Sequence, residues 1–404
     1  MAFKKINMKK LLLIISIALS HQIIAQSFKK LHRKAIVVDT HNDILMKAAD
    51  VGTVFDRDLT GKTHSDLARW KKGGLDVQIF SVYCDGDLKN PYAYANREMD
   101  SLDAVAARNP DKIVKVADYT QLMQVVKQNK IAAMFGVEGG HMIEDDLNKL
   151  EALYKRGAIY LTLTHNTAPS WATSAADETS TNPSGGKGLN SEGKKGLTAF
   201  GKQVVQKMNE LGMMIDVSHL GDQSFWDVIK LTTKPIIASH SSVYSLVASR
   251  RNLKDDQIKA IAKNGGVIQV NFHPGFIDSS FGAKENDFIK KHAAENDSLK
   301  KTGITDHYAL DYLYNKYAAE ANAIRPPLSM VMDHIEYIIR LVGVDYVGLG
   351  SDFDGISLTP AQLDDVTTYP LITKALVEKG YSKKDINKIL GGNFLRVLKA
   401  NEGK

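Results

Sequence analysis

Eight short apolar runs, each ending in polar residues, punctuate the chain at positions 35–43, 76–83, 131–138, 158–165, 213–219, 235–240, 266–272 and 346–352. Runs that stay apolar at consecutive positions suit strands buried on both faces, as in a parallel sheet covered by helices. Between them, apolar residues recur at helical spacing in segments 65–72, 92–108, 120–128, 147–156, 197–211, 224–231 and 255–263. Gly73, Gly157, Gly212 and Gly265 close several of these segments, a usual place for a helix-ending glycine. Strand and helix alternate throughout, so the pattern predicts an α/β protein with right-handed crossovers. Eight such units favour a (β/α)8 TIM-type barrel over an open doubly wound sheet. The glycine motifs that cradle nucleotide phosphates are missing.

Two stretches interrupt the rhythm. Residues 168–196 are rich in Gly, Ser, Thr and Asn and follow the fourth strand, which predicts a long loop at the barrel mouth. Residues 276–328, between the last two strands, hold charged helical sequence around 308–322 and then Pro326 and Pro327. They read as an insertion forming a lid or side wall, where barrels place specificity. At the end of the chain, 382–401 predicts a terminal helix that Gly391 and Gly392 could break in two.

The polar ends of the runs carry the chemistry. In a closed barrel the C-terminal ends of the strands gather at one mouth, so groups far apart in sequence meet there. His41 and Asp43 stand two apart at a strand end and so point the same way. An H-x-D pair alone is a weak signal, since either residue can cap a helix or close a turn. Asp39 shares that face but sits earlier, deeper in the barrel. Glu138 precedes Gly139 and Gly140 and could bridge two cations, although a lone strand-end carboxylate is more often a capping group. His219 and His240 end consecutive strands, and imidazole with carboxylate suits Zn2+ or a similar ion. Five ligands exceed what one tetrahedral zinc takes, and they fit a pair of ions sharing Glu138.

His165 also ends a strand, at a height where it could stabilise the oxyanion of a tetrahedral intermediate. His141 and His273 are held in reserve, and the other histidines are expected at the surface. Arg250 or Arg251 could grip a carboxylate through a planar guanidinium. Asp352 and Asp354 share a face, and either could shuttle a proton; Asp352 is preferred because it lies nearer the strand.

Composition narrows the class. The chain has 404 residues, 44% of them hydrophobic, enough for a large core. Lys4, Lys5, Lys9 and Lys10 precede an apolar stretch at 11–19, and Ala25 offers a small residue for cleavage, although Ile23 two positions before it is imperfect. Residues 1–25 therefore read as a signal peptide for export to the periplasm or beyond, with an uncleaved anchor as the weaker reading, and 26–404 as one domain. The formal charge of +6 is mostly this segment: without it, 48 basic residues face 46 acidic ones. Nothing calls for a nucleic-acid partner. Cys84 is the only cysteine, so no internal disulfide is available, and the polar C-terminus predicts no lipid anchor.

Taken together, the motifs at 38–43, 136–141, 160–166, 196–201, 214–219, 239–242, 248–252, 350–355 and 391–394 resemble those of the membrane (renal) dipeptidase family, zinc peptidases among the amidohydrolase-type barrels. The resemblance runs from about residue 35 to 400, and nine motifs in order are specific where each alone is weak. It implies two zinc ions per chain, one on His41 and Asp43, one on His219 and His240, with Glu138 bridging them and serving in catalysis. It further implies that His165 contacts the substrate carbonyl, Arg251 binds the C-terminal carboxylate and Asp352 transfers the proton. The expected activity is hydrolysis of dipeptides, L,L pairs with L,D pairs left open, by a water activated between the metals. The alternative is a metal-dependent amidohydrolase acting on N-acyl amino acids, lactams or other cyclic amides. Animal members are lipid-anchored and disulfide-linked, whereas the polar C-terminus and single cysteine here lead to the expectation of neither. Members often pair, which leaves a homodimer open.

Overall fold

A computed structural model describes residues 28–180 and 188–402. The expected signal segment, 1–25, lies outside the described residues. All eight apolar runs contain a strand. They are β1 (Val38–Asp39) and β2 (Val77–Tyr83), then β4 (Ile131–Glu138), β5 (Ala158–Thr162), β6 (Met214–Asp216), β7 (Ile237–Ala238), β8 (Val267–Val270) and β9 (Val347–Leu349). An additional strand, β3 (Ile113–Lys115), pairs with β4 off the main path. Every pairing is parallel, in the order β1-β2-β4-β5-β6-β7-β8-β9. The two ends meet: Thr40 N donates to Leu349 O at 3.2 Å, Asp43 N to Phe353 O at 2.9 Å and Asp352 N to His41 O at 3.2 Å. This is a (β/α)8-type barrel with its seam drawn together by the residues that follow β1 and β9.

Helices cover the outside, and their starts explain themselves. Asp66, Asp118, Asp146 and Thr198 each accept a backbone N–H at the first turn of Leu67–Lys72, Tyr119–Lys127, Leu147–Lys155 and Ala199–Leu211. Each such cap stabilises its helix by about 1 kcal/mol. At the end of the chain, Lys383–Asn387 and Asn393–Asn401 are joined through a π-helical turn, Lys388–Gly392, so the paired glycines widen the helix without breaking it. Phe394 and Val397 from that helix join Val38, Ile79, Met134 and Ile237 in one apolar cluster.

The loop expected at 168–196 contains a short helix, Ala175–Thr179, and buries Trp171; residues 181–187 lie outside the described residues. Beyond the single turn Pro274–Ile277, the stretch before Leu328 holds four helices, Phe281–Lys291, Ala293–Lys301, Asp306–Lys316 and Ala318–Ile324, around a small cluster of Phe288, Leu313, Tyr314 and Ala321. Two ties fasten it to the helix Ile44–Val51: Lys47 Nζ to Asp311 Oδ2 at 3.1 Å, and Tyr308 OH to Asp50 Oδ2 at 3.1 Å. These ties bring 305–308 to the wall of the central pocket. Among the described residues no helix is long and apolar enough to cross a membrane.

Candidate active site

The five ligand-type residues converge at the barrel mouth. Glu138, the last residue of β4, lies at their centre. Its Oε2 is 3.2 Å from His41 Nε2, while its Oε1 is 3.1 Å from His219 Nε2 and 3.2 Å from His240 Nε2. Asp43 Oδ2 is 3.5 Å from His41 Nε2, and the His219 and His240 Nε2 atoms are 3.1 Å apart. Three triads could each hold an ion: His41, Glu138 and His240; Glu138, His165 and His219; and His41, Asp43 and Asp352. His165 and Asp352 thus stand within ligand range, closer to the cluster than strand position alone indicated.

Deeper groups hold these side chains. His240 Nδ1 meets Ser239 Oγ at 2.8 Å, and that hydroxyl donates to Asp216 Oδ2 at 2.6 Å. Asp216 also accepts the backbone N–H groups of Ser218 and Ser239. Asp39 is fully buried below the site, as its earlier position in β1 requires. It accepts from Ser351 N and Oγ at 2.8 and 2.7 Å and from Gln78 Nε2 at 3.1 Å. Asn271 Nδ2 donates to Asp352 Oδ2 at 2.8 Å. Sequence reasoning missed Ser239, Asp216 and Asn271 because short polar residues in a strand run carry no signal of their own.

Two choices left open by the sequence are separated by the structure. Arg251 is buried and directs Nη2 to His240 O at 3.3 Å, with Nε and Nη1 lacking hydrogen-bond partners, whereas Arg250 is exposed. Asp352 lines the pocket, whereas Asp354 is turned away to accept from His64 N at 2.7 Å and from Ser65 Oγ. Of the reserve histidines, His141 Nε2 contacts Cys84 O at 3.0 Å and His273 accepts from Gly275 N at 2.9 Å. His21 lies outside the described residues; among the described ones, the expectation that the remaining histidines lie at the surface fails at two positions. His32 is buried between Thr373 Oγ1 and Gly73 O, and His334 is buried and accepts from Val243 N. Both fill gaps between packed elements, which a helical pattern does not reveal.

Burial and charge set the protonation states of the metal-free cluster. Burial works to lower the His41 pKa, yet Glu138 and Asp43 together carry it well above its usual value. Glu138 is penalised by burial but held well below the normal range by His41 and by hydrogen bonds from His219 and His240. Burial keeps His219 and His240 well down, and brings His165 to about 4, so these rings are neutral at pH 7. Burial, then the Asp43 carboxylate, push Asp352 up to about 8. Arg251 falls to about 10 through burial and stays charged. His219 and Asp352 both have left-handed backbones, at φ 64° and 65°, a conformation uncommon without glycine and concentrated at functional sites.

The pocket over this cluster has a volume of about 680 Å3 and is also lined by Tyr83, Asn166, Phe276 and Tyr308. Its volume suits a ligand of a few residues.

A parallel barrel with imidazoles and carboxylates converging at its mouth defines a metallohydrolase. The comparisons specify which one: residues 25–403 match the model of the membrane dipeptidase family (peptidase family M19), and the chain belongs to that family of metallopeptidases. It is 32% identical to an uncharacterised dipeptidase of Schizosaccharomyces pombe, over 93% of this chain and 83% of that protein. Its fold matches the probable dipeptidase PvdM from Pseudomonas aeruginosa with TM-score 0.76 at 23% identity, covering 94% of this chain and 98% of the other. A metallopeptidase from Rhodobacter sphaeroides, liganded with a phosphinate mimic of the dipeptide L-Ala-D-Ala, matches with TM-score 0.72 at 21% identity, over 91% and 100%.

Proposed function

We propose that the protein is a zinc-dependent dipeptidase that cleaves small peptides carrying a free C-terminal carboxylate. The observation that carries this reading is Glu138, whose two oxygens face different imidazoles, as a carboxylate shared between two ions requires. His41 and Asp43 would hold one zinc, and His219 and His240 the other. The donors fit: His41 Nε2 and both Asp43 oxygens are buried without hydrogen-bond partners, and imidazole with carboxylate is a zinc donor set. Bound in such a pair, divalent ions lower the pKa of a water molecule and polarise a carbonyl oxygen.

The chain's own groups supply the rest. Arg251 presents Nε and Nη1 to the substrate carboxylate and so sets the register of the peptide in the pocket. His165, neutral at working pH, donates its one N–H to the scissile carbonyl oxygen as charge builds there. Asp352, held by Asn271, takes a proton from the attacking water and delivers it to the departing amine. The phosphinate dipeptide mimic in the Rhodobacter sphaeroides structure supports dipeptides as the substrate class, L,D pairs included.

The test is a panel of L,L and L,D dipeptides incubated with purified protein, with and without chelator. Metal-dependent release of free amino acids is expected. Preference for amino-blocked substrates or lactams would move the assignment to the alternative amidohydrolase. The basic and then apolar start of the chain further supports export, with a mature N-terminus at Gln26, which N-terminal sequencing would verify.

A further inference from the structure

We propose that Tyr160 is a positioning residue that fixes the tautomer and orientation of His41, and with them the affinity of the zinc held by His41 and Asp43. This rests on the metal reading above. Tyr160 is fully buried on β5, which β2 and β4 separate from β1 round the barrel wall. Its hydroxyl lies 2.9 Å from Thr40 O and 3.1 Å from His41 Nδ1. A carbonyl oxygen only accepts, so the single phenolic proton goes to Thr40 O. The hydroxyl then has only a lone pair for His41, and Nδ1 must carry the proton. That leaves Nε2, the atom facing Glu138 and Asp43, with its lone pair free for a metal. Because Thr40 precedes His41 in the chain, the phenol clamps the ring to its own backbone.

Two features of the strands exist to admit this ring. The β4–β5 pairing shifts register between Phe135 and Gly136, leaving Ile159 unpaired and setting Tyr160 opposite Gly136. A Cβ at Gly136 would lie 1.9 Å from Tyr160 Cζ and 2.3 Å from its hydroxyl oxygen, so a side chain there displaces the phenol. Glycine inside a buried strand is otherwise unfavourable, and close approach by another group is a recognised reason for it.

The experiment compares zinc binding to the chelated wild-type protein, Tyr160→Phe and a variant with 3-fluorotyrosine at 160, by competition with a chromophoric chelator. Thermal melts of the metal-free forms and 15N shifts of the imidazoles are recorded beside it. Tyr160→Phe is expected to weaken one of the two ions by about 10- to 100-fold, the usual effect of losing a group that orients a metal ligand, and to leave the other unchanged. Once the pH is high enough for the metal-free His41 ring to be neutral, its nitrogen shifts in the variant should move toward a mixture of tautomers. The fluorinated phenol keeps the shape and accepts less well, so it should fall between the two, and it secures the test if the phenylalanine variant folds poorly. Wild-type affinity for both ions in either variant, or equal weakening of both in step with a lower melting temperature, would overturn the proposal. Failure of the wild-type protein to bind zinc would refute the metal reading itself, a separate outcome.

Discussion

Replacing Arg251 with Met removes the guanidinium while keeping the length of the side chain. Arg251 is 7% exposed, remains charged with a pKa of about 10, and has two N–H groups, Nε and Nη1, without partners in the pocket. A hydrogen bond to a charged group contributes roughly 1.5–3 kcal/mol, so two of them to a carboxylate amount to about 3–6 kcal/mol. Converted at about 1.4 kcal/mol per tenfold, the loss in kcat/KM is about two to four powers of ten. The assay is a cycle: wild type and Arg251→Met, each on a dipeptide and on its C-terminal amide. The wild type should discriminate strongly against the amide and the variant hardly at all, because the coupling term vanishes with the guanidinium. Stability should not suffer. Among the described residues the charge has no ion-pair partner, and burial already disfavours it, so the melting temperature of the variant should be no lower. Equal discrimination against the amide by both proteins would refute the role assigned to Arg251.

Three other outcomes are expected. Asp352→Asn should lower kcat by about 100- to 10,000-fold, the range for losing a proton-transfer group, with zinc content by elemental analysis unchanged. Zinc affinity of the chelated protein should rise with pH through about 8, where Asp352 titrates, since His41 and Asp352 must release protons that the metal-free site retains; calorimetry in buffers of different ionisation enthalpy measures that release. The metal-free protein should melt at a lower temperature as pH rises from 7 to 9. Asp352 and His41 both titrate higher in the folded chain than when unfolded, so the native state holds extra protons in this range and loses that advantage as they leave. Differential scanning calorimetry checks the sign, and saturating zinc should abolish the trend.

The barrel was legible because apolar runs and helical spacing alternate eight times, and periodicity is the strongest signal a sequence carries. The helix Leu328–Val342, which packs on the last strands, is hidden behind Pro326 and Pro327, which in the sequence mark only the end of the insertion. The strand β3 did not register because its apolar pair, Ile113 and Val114, is flanked by Lys112 and Lys115. Helix Ile44–Val51 starts directly after Asp43 with no linker to announce it. Within the site, residue types and their convergence were readable, but side-chain alternation explains only part of the placement. Glu138 ends its strand, whereas His219 lies three residues beyond β6 and Asp352 three beyond β9, both on left-handed backbones that no two-residue period predicts. Tyr160 was invisible for the opposite reason: an aromatic residue in a buried strand looks like packing, and only the phenolic oxygen reveals otherwise.

Two cations sharing Glu138 is the claim on which every proposed role depends, and anomalous X-ray scattering at the zinc edge from crystals of the purified protein tests it most directly. The expected result is two peaks roughly 3.5–4 Å apart, one beside His41 and Asp43 and one beside His219 and His240, with the Glu138 carboxylate between them. A single peak remote from Glu138, or none in protein that hydrolyses dipeptides, would contradict it.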